Sequence, residues 1–185
     1  MNTTEYLTKI VQELSKSIEL ISNVEAENLA NQILKSKKIF IYGAGRSGLM
    51  GKSFVMRMMH MGIDAYVVGE TTTPNFEKED LLIIGSGSGE TKALIPIAQK
   101  AKILGGTVAA VTLSPDSTIG LLADIIVKLP GAAKDQSNGE YKTIQPMGSL
   151  FEQTMLLFYD AIILTIMEKR GLDSNKMYGK HANLE

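Results

Sequence analysis

Apolar residues recur along this chain with two different periods. Over residues 4–21, Leu7, Ile10, Val11, Leu14, Ile18 and Ile21 fall three and four apart with polar residues between them, which predicts an amphipathic helix. Ser22-Asn23-Val24-Glu25 has the form of a capping box and restarts the helix through Leu29, Ile33 and Leu34. From Lys38 onward, short runs rich in β-branched residues alternate with helical patterns. Strands are expected at 38–42, 64–68, 81–84, 107–112 and 124–128. Helices are expected at 46–61, 91–104 and 149–170, with a short one near 117–123. Strands that are apolar throughout must be covered on both faces. The expectation is therefore an α/β fold of three layers, α-β-α, around a five-stranded parallel sheet with right-handed crossovers. The stretch 130–148 reads as a long polar loop, of the kind that often carries function.

Two glycine-rich segments interrupt this pattern where strands should end. Gly43-Ala44-Gly45-Arg46-Ser47-Gly48 follows Lys38-Ile39-Phe40-Ile41-Tyr42, and Gly85-Ser86-Gly87-Ser88-Gly89-Glu90-Thr91 follows Leu81-Leu82-Ile83-Ile84. Each would end a strand and open a helix, where backbone N–H groups without intrahelical partners favour an anion. Glycines let the backbone close around a ligand, and the second loop's hydroxyls, Ser86, Ser88 and Thr91, can bond phosphate oxygens without adding charge. In a doubly wound sheet of order 2-1-3-4-5, ligands bind where the strand order reverses, between the first and third strands. Those strands carry the two loops, so topology would bring together segments that are far apart in sequence. The pair implies a phosphate-bearing small molecule.

Composition narrows the function classes. The 185 residues suit one domain, and with 44% hydrophobic and 21% charged residues the chain is an ordinary globular one. A net charge of −1 without any Lys/Arg block offers nucleic acid no electrostatic footprint. Cysteine is absent, which excludes disulfides and cysteine-ligated metal and fits a reducing compartment. With only His60 and His181, a multi-histidine metal site cannot be built. Met1 to Tyr6 have no basic start followed by an apolar stretch, so no signal peptide is read. The most apolar segment, Thr154 to Met167, is shorter than a bilayer span and contains Asp160. A cytoplasmic protein with no membrane partner is expected.

Single motifs are ambiguous. Gly43-x-Gly45-x-x-Gly48 matches the dinucleotide fingerprint, with Glu70 placed to mimic its ribose-binding acid, but the second loop has no role in a plain nucleotide fold. Gly51-Lys52-Ser53 echoes a phosphate loop whose first glycine would fall at Arg46, so that reading fails. Glu152 opens a strongly apolar helix right after the long loop; it is either a carboxylate presented to a ligand or the acidic half of a capping box, Ser149-Leu150-Phe151-Glu152. His60, among Met50, Met56, Met58, Met59 and Met61, reads as packed in a core or subunit interface. His181 lies in the polar tail Tyr178 to Glu185, where a histidine is ordinarily just solvated.

Taken together, the two loops resemble the phosphosugar loops of the sugar isomerase (SIS) domain family. Gln145-Pro146-Met147-Gly148-Ser149-Leu150-Phe151-Glu152-Gln153 and His181-Ala182-Asn183-Leu184-Glu185 resemble its 6-phospho-3-hexuloisomerase branch. The likeness implies one SIS domain over 1–185, with N-terminal helices in 1–36, an α/β core in 37–171 and a tail in 172–185. It also implies a flavodoxin-like sheet and a homotetramer that converts D-arabino-3-hexulose 6-phosphate into fructose 6-phosphate, without metal or organic cofactor. In that family the activity follows 3-hexulose-6-phosphate synthase in the ribulose monophosphate route of formaldehyde fixation. By the same likeness, Gly45, Arg46, Ser47, Ser86, Gly87, Ser88, Gly89, Glu90 and Thr91 contact the substrate. Glu152 is the catalytic base, and His181 is a second catalytic group reaching a neighbouring subunit's site. Another phosphosugar aldose–ketose isomerase and a non-catalytic sugar-phosphate sensor are the alternatives that the same loops would serve.

Overall fold

The computed structural model describes residues 1–132 and 142–184; the middle of the polar stretch 130–148 and the terminal Glu185 lie outside the described residues. Five strands, β1 (Ile39–Gly43), β2 (Ala65–Val67), β3 (Leu81–Gly85), β4 (Thr107–Thr112) and β5 (Ile125–Lys128), pair in parallel in the order β2-β1-β3-β4-β5. Seven helices are described: α1 (Thr3–Ile18), α2 (Asn23–Lys35), α3 (Gly45–His60), α4 (Ile95–Ile103), α5 (Thr118–Leu122), α6 (Ser149–Arg170) and α7 (Ser174–Tyr178).

The continuous apolar strands divide their side chains between two cores. Ile39, Ile41, Leu81, Ile83, Ala109 and Val111 face α2, α3 and α6, while Phe40, Leu82, Ile84, Val108 and Ala110 face α4 and α5. All five residues of β3 are buried, as a central strand covered on both sides requires. The first core is anchored by Phe54 of α3 and Tyr159 of α6, whose rings stack 4.3 Å apart and 2° from parallel. Met155, one turn earlier on α6, lies beneath Gly85: a Cβ there would stand 2.9 Å from its Sδ.

Several boundaries differ from the sequence pattern for local reasons. α4 begins at Ile95 instead of 91, because Leu94 N donates to Thr91 O at 2.9 Å in a separate turn. Pro96 then occupies the first helical turn, where its missing N–H costs nothing. At the start of α2, Glu25 N donates to Ser22 Oγ at 3.3 Å, but the Glu25 carboxylate accepts from Lys128 N at 2.8 Å and so ties α2 to β5. α7, within the segment 172–185, has no counterpart among the expected helices; the Asp173 side chain caps it, accepting from Lys176 N at 2.8 Å.

The apolar segment read as shorter than a membrane span belongs to a helix of 22 residues, long and apolar enough to cross a bilayer. Its buried face of Phe151, Met155, Phe158, Tyr159, Ile162 and Ile166 packs into the sheet core, the position of a core helix. The predicted stripe on α1 is only partly covered: Leu7, Val11 and Ile18 are 59%, 56% and 57% exposed.

Burial pushes the Tyr159 phenol above its usual pKa, and among the described residues its hydroxyl has no hydrogen-bond partner. Tyr159→Phe keeps the stack and removes an unmatched polar atom, so its melting temperature should equal or exceed the wild type's. Tyr159→Ala should cost about 3–5 kcal/mol in denaturant unfolding, because it deletes the ring that supports α3 against α6.

Candidate active site

Strands β1 and β3 are neighbours in register, with Gly43 directly opposite Gly85. Both glycine loops therefore leave the sheet at the carboxyl ends of its strands, as the switch-point argument requires. The first loop turns within two residues into α3, and Gly48 packs so tightly that a Cβ would lie 2.5 Å from Gly43 O. Ala44 is the N-cap of α3 and provides no side-chain cap, so the first-turn amides keep their capacity for an external acceptor. The second loop is held from within and behind. Ser86 Oγ accepts from Gly89 N at 3.2 Å and lies 3.4 Å from Thr91 Oγ1. Gly87 O accepts from Leu113 N at 3.1 Å and from Thr112 Oγ1 at 3.2 Å.

Between the loops and the start of α6 lies a cleft of about 360 Å³. Ala44, Gly45 and Ser47 form one side, and Gly85 to Ser88 with Thr91 the other. Phe151 and Glu152 form the end. Leu94, Leu113 and Phe151 supply apolar wall that the motifs alone did not single out. Phe151 could have been found from its place beside Glu152 in the first turn of the apolar helix; Leu113 carries no such signal.

Among the described residues Glu152 is the one carboxylate lining this cleft, and it is 7% exposed. The capping-box reading of this segment is corrected: the N-cap is Gly148, Ser149 is already helical, and Glu152 N donates to Gly148 O at 3.0 Å. The carboxylate is instead met by Arg46, whose Nε donates to Glu152 Oε2 at 2.6 Å. A buried carboxylate needs such a partner, and a charge-assisted bond of this length is a strong one.

Four of the expected site residues lie elsewhere. Arg46 does not line the cleft; it is spent on Glu152, with its side chain 59% exposed. Gly89 stands behind the loop, where φ is +63° and a Cβ would fall 1.8 Å from Ser117 Oγ. Glu90 points out of the cleft, its two oxygens accepting from Thr118 N at 2.6 Å and Thr118 Oγ1 at 2.8 Å. Those bonds, the backbone one first, hold its carboxyl below the usual range and make it a strut from the loop to α5. His181 lies toward the far end of α3, in a second cavity of about 410 Å³ lined also by Arg57, His60, Asp160 and Tyr178. There its ring stacks on His60 with centroids 5.3 Å apart. His60 is buried as expected, and its pKa is lowered by burial first, then by Arg57 and His181. Within one chain the structure unites Gly45, Ser47, Ser86, Gly87, Ser88, Thr91 and Glu152, and leaves His181 outside. Among the described residues, no group of three histidine, aspartate or glutamate side chains could hold a metal ion.

Residues 32–157 match the SIS domain family. A 3-hexulose-6-phosphate isomerase of Bacillus subtilis (strain 168) is 64% identical over 185 residues, covering 100% of both chains. A 3-hexulose-6-phosphate isomerase of Methanocaldococcus jannaschii is 41% identical over 158 residues, covering 85% of this chain and 83% of its own. A crystal structure of a Methanococcus jannaschii protein, for which the function of 3-hexulose-6-phosphate isomerase was inferred, superposes with a TM-score of 0.84. The two are 36% identical, and the match spans 98% of this chain and 99% of that one.

Gly89→Ala should dismantle the second loop, since both its left-handed φ and the Ser117 contact exclude a side chain. We expect a loss of roughly tenfold or more in affinity for inorganic phosphate by calorimetry. Gly45→Ala, with φ +55° but nothing within 4 Å of a new Cβ, should lose less.

Proposed function

The chain belongs to the SIS domain family, and we propose that it is an isomerase interconverting D-arabino-3-hexulose 6-phosphate and fructose 6-phosphate. The observation that carries this reading is a buried carboxylate beside two glycine-rich loops that line one cleft with amides and hydroxyls. Full-length likeness to the Bacillus subtilis enzyme selects the hexulose among phosphosugars.

The reaction moves a carbonyl from C3 to C2. A proton leaves C2, an enediolate forms, and a proton returns at C3; the hydroxyl proton passes from O2 to O3. One carboxylate can serve both carbons, and Glu152 takes this role. Arg46 clamps Oε2, and among the described residues nothing donates to Oε1, so Oε1 is the oxygen offered to the substrate. A glutamate is a weak base toward a carbon acid, and donors aimed at O2 and O3 must stabilise the enediolate. Backbone N–H groups of the loops and His181 of a neighbouring subunit are the donors this reading assigns.

A 3-ketose phosphorylated on O6 cannot close a five- or six-membered ring, so it arrives open-chain and needs no ring-opening base. Ser47, Ser86, Ser88 and Thr91 with the loop amides hold the phosphate. Binding energy far from the reacting carbons thus becomes orientation at C2 and C3.

On this reading the protein works in the cytoplasm after 3-hexulose-6-phosphate synthase, in formaldehyde fixation by the ribulose monophosphate route. A homotetramer is favoured by the uncovered stripe of Leu7, Val11 and Ile18 on α1 and by the exposed Leu157 and Leu164 on α6. It would also bring His181 of one subunit toward the cleft of another.

The decisive experiment is incubation with 3-hexulose 6-phosphate in heavy water, which should yield fructose 6-phosphate carrying deuterium at C3. An unchanged substrate would defeat the reading. Glu152→Gln should fold and bind fructose 6-phosphate, yet lose about 10²–10⁴-fold in kcat. Arg46→Ala should lower kcat more than it raises KM, with partial recovery in Arg46→Lys; a change in KM alone would return Arg46 to phosphate binding.

A further inference from the structure

Outside the cleft, one carboxylate is surrounded by donors and belongs to none of the motifs above. Glu13 lies on α1, and its oxygens accept from Thr143 Oγ1 at 2.6 Å, Ile144 N at 2.9 Å and Gln145 Nε2 at 2.9 Å. These bonds join residues 130 to 132 positions apart. Burial alone would raise the Glu13 pKa, but the bonds from Thr143, Gln145 and Ile144, with Lys16 nearby, outweigh it and hold the carboxyl below its ordinary value. Near neutral pH the group is therefore a pure acceptor, matched to three donors.

The three donors lead straight into the turn before α6. Gln145 is buried and its N donates to Thr143 Oγ1 at 3.0 Å, which links two of the three donors to each other. Met147 follows with φ +63°, the one non-glycine residue with a positive φ among those described. Such a backbone costs on the order of 1–2 kcal/mol and persists only where its surroundings hold it. The Met147 side chain is 63% exposed, so its own packing does not hold the turn. What remains is an anchor at each end. Downstream, Ser149 N donates to Pro146 O at 3.1 Å and Glu152 N to Gly148 O at 3.0 Å. Upstream, the anchor is Glu13.

We infer that Glu13 is a positioning residue for Glu152: α1 grips the turn 143–148 and so sets where α6 begins and where its carboxylate stands. This rests on the reading that Glu152 is the base. It gives α1, which precedes the residues 32–157 matched by the family, a part in the reaction. Glu13 touches no substrate; it acts through the turn.

The test is Glu13→Gln, which places an amide NH₂ against the same donors. We expect kcat to fall roughly ten- to hundredfold, as for a misplacement of about 1 Å, with KM within about twofold because the phosphate loops are untouched. Amide hydrogen exchange should accelerate at residues 144–148 and stay unchanged elsewhere. Thr143→Val, made from the turn side, should reproduce both effects, and the double variant should lose less than the product of the two single losses in kcat. Wild-type turnover in both single variants, or exchange raised across the whole chain alongside the lost activity, would overturn the inference. Wild-type protein that converts no 3-hexulose 6-phosphate would instead remove the isomerase reading, while exchange at 144–148 still reports whether Glu13 grips the turn.

Discussion

The parallel register that sets Gly43 beside Gly85 is the constraint on which the site depends. Each loop by itself is a common device: a strand ends, glycines turn the chain, and unpaired amides face outward. Adjacent strands in a parallel sheet stand about 4.8 Å apart, so two such devices leaving the same ends of the strands enclose a space the size of one ligand. Because the register is fixed by apolar residues buried on both faces of β1 and β3, neither loop can slide relative to the other without unpacking a core.

Charge is arranged with the same economy. The chain is nearly neutral overall, and among the described residues the cleft sets hydroxyls, amides and a single carboxylate against an apolar wall, with Arg46 turned toward that carboxylate. The loops thus offer an anion dipoles and hydrogen bonds, while Arg46 matches the buried carboxylate of the cleft. A free guanidinium inside the cleft would compete for Glu152 and the ligand at once. With Nε committed to Glu152 and the side chain outside, the loop amides and hydroxyls face the cleft without a guanidinium among them.

Much of this was legible in the residues themselves. Strand positions follow from apolar runs that are continuous, which leaves a buried parallel sheet as the consistent solution; the strand order followed from the family resemblance. The two loops were legible because glycine and serine at strand ends have a local meaning. What local sequence did not mark was whatever depended on partners distant in sequence. Glu90 shares the loop motif with its neighbours, yet Thr118 of α5 claims its carboxylate. Ser149 has the spacing of a cap, but Gly148 already stands at that position and Arg46 supplies the bond that Glu152 makes. His181 rests on His60, a surface that exists only once α3 and α6 have packed. Glu13 reads as a polar interruption beside Leu14, with nothing local to mark its grip on a turn so far downstream.

The placement of Met155 under Gly85, on the same helix that opens with Glu152, ties the interior to the chemistry. In most folds a lineage can drift through alternative core residues while its active site stays still. Here a bulkier or shorter side chain at that position would press on or withdraw from the loop floor and disturb the helix that carries Glu152. Sequence variation at 155 should therefore be accepted only in concert with its neighbours, so that this lineage explores new interiors far more slowly than new surfaces.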